Sequence, residues 1–143
     1  MTQFRRLSPA MLVSPQIAPE DLEEAEAEGV KLVVNNRPDG EEPDAPQSDA
    51  IEAAARAKGM DYLYLPITHS GISSTQIDAL GTALQSVDGA TLGYCRSGTR
   101  STMVWALAQV KLGQSPDDVA DAAGAAGYDV TPIRPMMDMI AAR

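Results

Sequence analysis

The chain has 143 residues, a formal net charge of −9 and one cysteine. That length fits one compact domain over residues 1–143 and leaves no room for a second core. The acidic balance excludes the basic footprint that nucleic acid and anionic membrane surfaces require, and a lone cysteine excludes an internal disulfide and points to a reducing, cytoplasmic setting.

Residues 1–12 carry Arg5 and Arg6 but lack the uninterrupted apolar run of a secretory signal. Nothing elsewhere approaches the roughly 20 apolar residues needed to cross a bilayer, so a soluble protein is expected. Residues 4–7 and 11–13 flank Ser8-Pro9-Ala10 and are predicted to pair as a hairpin at a sheet edge. A helix is expected over 19–28, with Asp21, Glu23 and Glu24 in its first turns and Gly29 ending it. A short apolar strand follows at 31–35. The acidic, Pro- and Gly-rich stretch 36–47 reads as a solvated turn around Asp39-Gly40.

The alternation continues with a helix over 48–58 closed by Gly59, a strand at 62–65, a helix over 74–86 and a strand at 91–94. Strands alternating with helices predict an α/β fold, a central, mostly parallel sheet flanked by helices. The helix expected over 101–112 is apolar around nearly its whole circumference, as a helix buried in the middle must be. After Gly113, Ser115 caps a helix with Pro116 at its first position, and a last helix begins near Thr131-Pro132. The alternation of Ala and acidic residues over 117–126 suggests a packed amphipathic helix. Met136, Met137 and Met139 are expected to cover the core or a partner.

The chemistry concentrates in Cys95-Arg96-Ser97-Gly98-Thr99-Arg100. A loop between a central strand and a helix start collects unpaired N–H groups and the positive end of the helix dipole, both of which favour an anion. Gly98 permits the positive φ that curls successive amides toward one point. Arg100 adds a permanent charge and a forked set of donors. Thiols in such surroundings fall from about 8.5 into a range of roughly 3.5 to 7.5, so Cys95 is expected to act as a thiolate. Arg96 either faces an anionic substrate at the rim or pairs with the acidic surface. Ser97 and Thr99 are expected to offer backbone N–H groups, with their hydroxyls as secondary donors. Ser101 is expected to cap the helix or to donate to the sulfur. Because ligands bind outside the carboxyl ends of parallel strands, Arg37 is a subsidiary anion contact, and Asp39 or Asp44 a proton donor, in the loop after 31–35.

The string from Tyr94 to Ser101 resembles the active loop of rhodanese-type sulfurtransferases, in which four residues separate Cys from Arg. Cysteine-dependent phosphatases use a related loop with five between, and Ser101 stands where their Arg would be. A wider pattern covers Val13-Ser14-Pro15-Gln16, Gly29-Val30-Lys31-Leu32-Val33-Val34-Asn35-Asn36-Arg37-Pro38-Asp39, Leu65-Pro66 and the Cys95 loop. Over roughly residues 4–112 it resembles the family called beta-lactamase hydrolase-like protein, phosphatase-like domain. The resemblance implies a fold like that of the dual-specificity phosphatases with a loop of sulfurtransferase length. It also implies that such domains occur alone or fused to persulfide dioxygenase-type domains, which makes a dioxygenase of that type a candidate partner.

Dual-specificity phosphatases draw an Asp general acid from the loop after the preceding strand, and here that loop, 66–71, contains no carboxylate. Asp61 precedes the strand and Asp78 lies inside the next helix. His69 occupies the right loop and is a subsidiary candidate for the acid. The leading expectation is therefore a sulfurtransferase that carries sulfane sulfur as a Cys95 persulfide. A small anionic donor would supply the sulfur, and an external acceptor, cyanide or a thiol such as glutathione, would receive it because no second cysteine can resolve the persulfide. This chemistry calls for no metal or organic cofactor. The alternatives are a phosphatase using Cys95 and Arg100, and a non-enzymatic module that binds anions or persulfides.

Overall fold

The structure is a computed structural model and describes residues 4–41, 43–68 and 70–142. Its strands are β1 (Arg5–Ser8), β2 (Met11–Ser14), β3 (Val30–Asn35), β4 (Asp61–Tyr64) and β5 (Ala90–Tyr94), in one sheet of order β1-β2-β5-β3-β4. β1 runs antiparallel to β2, and the other three pairings are parallel. The hairpin therefore sits at the edge and β5 at the centre. The helices are α1 (Leu22–Ala27), α2 (Ser48–Ala57), α3 (Ser74–Ser86), α4 (Thr99–Lys111), α5 (Pro116–Ala125) and α6 (Arg134–Ala141).

Alternate strand positions face opposite sides of the sheet, and the two faces collect separate cores. Leu12, Val33, Leu92 and Tyr94 pack with Leu22, Ala25, Ile51 and Ala55, which brings α1 and α2 to one face. Met11, Val13, Leu32 and Val34 pack with Ile77, Leu80, Val104, Leu107, Val119 and Met137, which brings α3 to α6 to the other. All five residues of β5 are buried, as a parallel strand covered on both faces must be. α4 is buried nearly all round, from Ser101 to Val110, beneath α3, α5 and α6. Its first turn approaches β5 closely where Gly93 has no side chain: a Cβ there would stand 3.1 Å from Met11 Cε and 3.4 Å from Ser101 Cβ.

Several boundaries differ from the sequence reading. α4 begins at Thr99 rather than Ser101 because Gly98, in the left-handed region, takes the N-cap position. The first helix divides into a 3₁₀ turn over Pro19–Asp21 and α1, with the Ala18 N–H held by Asp21 Oδ2 at 2.8 Å. β4 runs one residue earlier than expected. Of the three methionines of α6, Met137 alone is core; Met136 and Met139 are exposed, since three-residue spacing puts them together on the face opposite Met137. Among the described residues no helix is long and apolar enough to cross a membrane.

Candidate active site

Because β2, β3, β4 and β5 are mutually parallel, the loops that leave their carboxyl ends open on one edge of the sheet. Backbone bonds sew these loops together. Asn36 N–H donates to Tyr94 O (2.9 Å), Cys95 N–H to Ser14 O (3.3 Å), and Ile67 N–H to Asn36 O (2.9 Å). The site is thus a rigid rim carried by four strands rather than a free loop.

Cys95 leaves β5 directly and is fully buried at the base of the arc. Its Sγ accepts a hydrogen bond from Gly98 N–H at 3.1 Å. That bond requires the left-handed turn at Gly98, φ 91°, which aims the amide back at the sulfur. Tyr128, from the segment after α5, closes over the arc: its hydroxyl donates to Ser97 O at 3.2 Å, and a Cβ on Gly98 would collide with the Tyr128 hydroxyl oxygen. Arg5 sits 5.8 Å from the Tyr128 ring centroid and donates to Ala126 O, which ties this tail segment to β1.

The two serine hydroxyls donate to partners other than those the sequence suggested. Ser97 Oγ donates to Thr99 Oγ1 (3.1 Å) and accepts from Thr99 N–H (3.4 Å), so the pair braces its own turn and the Ser97 proton is engaged there. Ser101 neither caps α4, whose cap position Gly98 holds, nor donates to Cys95. Its one proton goes to Asn36 Oδ1 at 2.8 Å, and Asn36 Nδ2 donates to Leu65 O at 2.9 Å. This buried chain locks α4 to the loops after β3 and β4.

Arg100 reaches the mouth. Its Nη1 donates to Ile67 O at 2.8 Å, and Nη1 and Nη2 grip Glu41 Oε2 and Oε1 at 2.9 and 2.8 Å. Glu41 also accepts from Arg37 Nε at 2.9 Å, while Arg37 Nη1 donates to Gln16 Oε1 at 2.8 Å. The stretch expected to be a solvated turn therefore folds back over the site, and Arg37, only 5% exposed, joins the catalytic candidates. The Arg100 guanidinium, with Arg37 behind it, holds the Glu41 carboxyl below its ordinary 4.5 despite some desolvation. Arg100 is in turn pushed above the ordinary guanidinium range, first by Glu41 and then, against its own burial, by the neighbouring Cys95.

The remaining candidates fall outside this cluster. The Arg96 side chain is exposed at the rim, and its carbonyl accepts from Gln16 N–H at 3.4 Å. Asp39 Oδ1 accepts from Ser48 N–H at 2.8 Å, which ties the carboxylate to the start of α2. Asp44 is exposed, Asp61 lies at the exposed start of β4, and Asp78 pairs with Lys111 on the outside of α3. His69 lies outside the described residues. Sequence reasoning missed Gln16, Asn36, Glu41 and Tyr128. The four-residue spacing of Arg37 and Glu41 was a usable signal; nothing local marks Tyr128.

Residues 3–112 match the family model described as beta-lactamase hydrolase-like protein, phosphatase-like domain. A beta-lactamase hydrolase-like protein of Xylella fastidiosa is 40% identical over 103 residues, which cover 71% of this chain and 24% of that protein. The chain therefore spans about a quarter of the length of the curated relative it matches. A crystal structure from Neisseria meningitidis Z2491, provisionally assigned as a phosphatase, superposes with a TM-score of 0.82 at 26% identity, covering 95% of this chain and 96% of that one. PTPMT1 superposes with a TM-score of 0.76 at 14% identity, covering 99% and 98%. The fold is that of the cysteine phosphatases, and these neighbours lend the sulfur-transfer reading no support of their own. With the match running through the Cys95 arc and the whole of α4, the chain belongs to the beta-lactamase hydrolase-like protein, phosphatase-like domain family.

Proposed function

We propose that this domain is a cysteine-dependent group-transfer enzyme in which Cys95 accepts a sulfane sulfur and hands it to an external thiol. In the first step the Cys95 thiolate attacks the terminal sulfur of the donor. The donor's S–S bond breaks, the leaving group departs with the bonding pair, and a Cys95 persulfide remains. An acceptor thiolate, of glutathione or a protein, then attacks the outer sulfur and regenerates the Cys95 thiolate. The proton of the acceptor thiol goes to solvent.

The observation that carries this reading is the short arc. Four residues lie between Cys95 and Arg100, and one of their amides, Gly98 N–H, is aimed at Sγ itself. A persulfide presents one charged atom to such an arc, whereas a transferring phosphoryl group presents three equatorial oxygens that all need donors. The acid requirement points the same way. Ester cleavage needs a proton for the leaving oxygen, and the carboxylate that does reach the mouth, Glu41, is held ionised between Arg100 and Arg37.

A second reading, phosphomonoester hydrolysis with Cys95 as nucleophile and Arg100 as clamp, is favoured by the fold neighbours, whose names are those of phosphatases. One experiment separates the two. The protein is incubated with thiosulfate or with an aryl phosphate, quenched in acid, and the Cys95 peptide is weighed, with Cys95→Ser as control. Gain of one sulfur on Cys95 supports sulfur transfer, and gain of one phosphoryl group supports the phosphatase. Neither adduct, with sulfate still bound, would leave a binding module. By the family resemblance, a persulfide dioxygenase-type domain is the partner proposed to consume the product.

A further inference from the structure

The carboxylate of Glu41 sits where two cations converge. It accepts three hydrogen bonds, from Arg37 Nε at 2.9 Å and from Arg100 Nη1 and Nη2 at 2.9 and 2.8 Å. The Arg100 contacts use both ends of the guanidinium fork, the pair of donors that recognises two oxygens of one anion. Behind them Arg37 is 5% exposed and further held by Gln16, while the Glu41 side chain is 31% exposed on a loop between β3 and α2. The cations are thus fixed in the wall and the anion stands at the mouth. Cys95, meanwhile, has no exposed surface, so a donor reaches its sulfur only when part of the wall around it moves.

We propose that Arg37 is a second substrate-binding cation of this site, and that the Glu41 carboxylate occupies the place of a substrate oxyanion and leaves when one enters. The substrate then carries two oxygens at carboxylate-like spacing beside the transferred atom. A sulfane-sulfur donor with a sulfonate end meets that description, as does a phosphate monoester. The proposal rests on the reading of the Cys95 loop as an anion site and is independent of which group is transferred. It also differs from the simpler assignment of Glu41 as a positioning residue for Arg100, because the two assign opposite signs to its removal.

Titration calorimetry with sodium sulfate, and in parallel with sodium phosphate, on the wild-type protein, Glu41→Gln and Arg37→Gln tests it. Removing an internal competitor worth about 1 kcal/mol tightens anion binding roughly fivefold in Glu41→Gln. Arg37→Gln weakens it by about the same factor, and Arg37→Lys, which keeps the charge but not the fork, falls between. Alkylation of Cys95 by iodoacetamide, slowed by added sulfate, reports on the same site by a second route. Equal or weaker binding in Glu41→Gln overturns the proposal in favour of a positioning role, and unchanged binding in Arg37→Gln removes Arg37 from the site. If no variant binds either anion and sulfate leaves alkylation untouched, the anion site itself fails and the proposed function with it. Thermal melts of each variant confirm that the comparisons are made on folded protein.

Discussion

Replacing Gly98 with Ala perturbs the arc at the point where it is most tightly specified. Two costs are expected. A residue with a Cβ at φ 91° pays the left-handed backbone term, about 1–2 kcal/mol. The new Cβ would also collide with the Tyr128 hydroxyl, which must swing aside. That motion gives up the bond to Ser97 O, worth about 1 kcal/mol, and the contact with Arg5, worth about 0.5 kcal/mol at a half-exposed site. The sum is about 3 kcal/mol, a loss of roughly 10 °C in Tm for a domain this size. The backbone term persists when Tyr128 is absent and the other two do not. A double-mutant cycle of Gly98→Ala and Tyr128→Ala, followed by thermal or urea unfolding, should therefore return a coupling of about 1.5 kcal/mol, well above the roughly 0.3–0.5 kcal/mol expected of independent sites. Gly98→Ala should also lose the covalent adduct on Cys95, because the amide that faces Sγ is displaced. Strict additivity, or a Gly98→Ala protein as stable as wild type, would refute the account of Tyr128 as the brace of the arc.

The other expectations concern the supports of the site and its pH response. Ser101→Ala removes the donor to buried Asn36 Oδ1 and should cost about 1–3 kcal/mol in urea unfolding, with a further drop in Cys95 adduct formation; an unchanged midpoint would contradict the buried chain. Asp39→Ala should lower stability by about 1 kcal/mol in urea unfolding through the first turn of α2, and Asp39→Asn should restore most of it; an unchanged midpoint in Asp39→Ala would contradict the cap. Glu41 has a folded pKa below its ordinary 4.5, so its ion pairs contribute fully above that value and are lost as pH falls through the lower folded one. The difference in Tm between wild type and Glu41→Gln should hold steady through neutral pH and close in acid, and a difference that persists unchanged to strongly acid pH would argue against these pairs. Arg100→Lys keeps the charge but loses the fork, and should reduce turnover about 100-fold or more if Arg100 stabilises the charge that develops at the reacting group.

The sequence by itself determined the order of elements, the parallel sheet with its edge hairpin, and the chemical centre. These are local matters: period-2 and period-3.6 apolar patterns, glycines where helices stop, and a Cys-to-Arg arc joining a buried strand to a buried helix. The tertiary structure decided what surrounds that centre. Arg37 looked like part of a solvated turn because Asp39-Gly40 and the acidic stretch are hydrophilic, yet the capping of α2 by Asp39 and the pull of Glu41 fold that turn over the mouth. Ser101 looks like a cap when the helix is read to start two residues late, and its real partner, Asn36, comes from the loop after β3, distant in sequence. Tyr128 could not be found at all, since its role depends on where the chain after α5 returns, and contacts between distant segments leave no periodic trace in the residues that make them. The residue types of the arc thus named the nucleophile, while the loops gathered at one sheet edge decided which cations and which carboxylate stand around it.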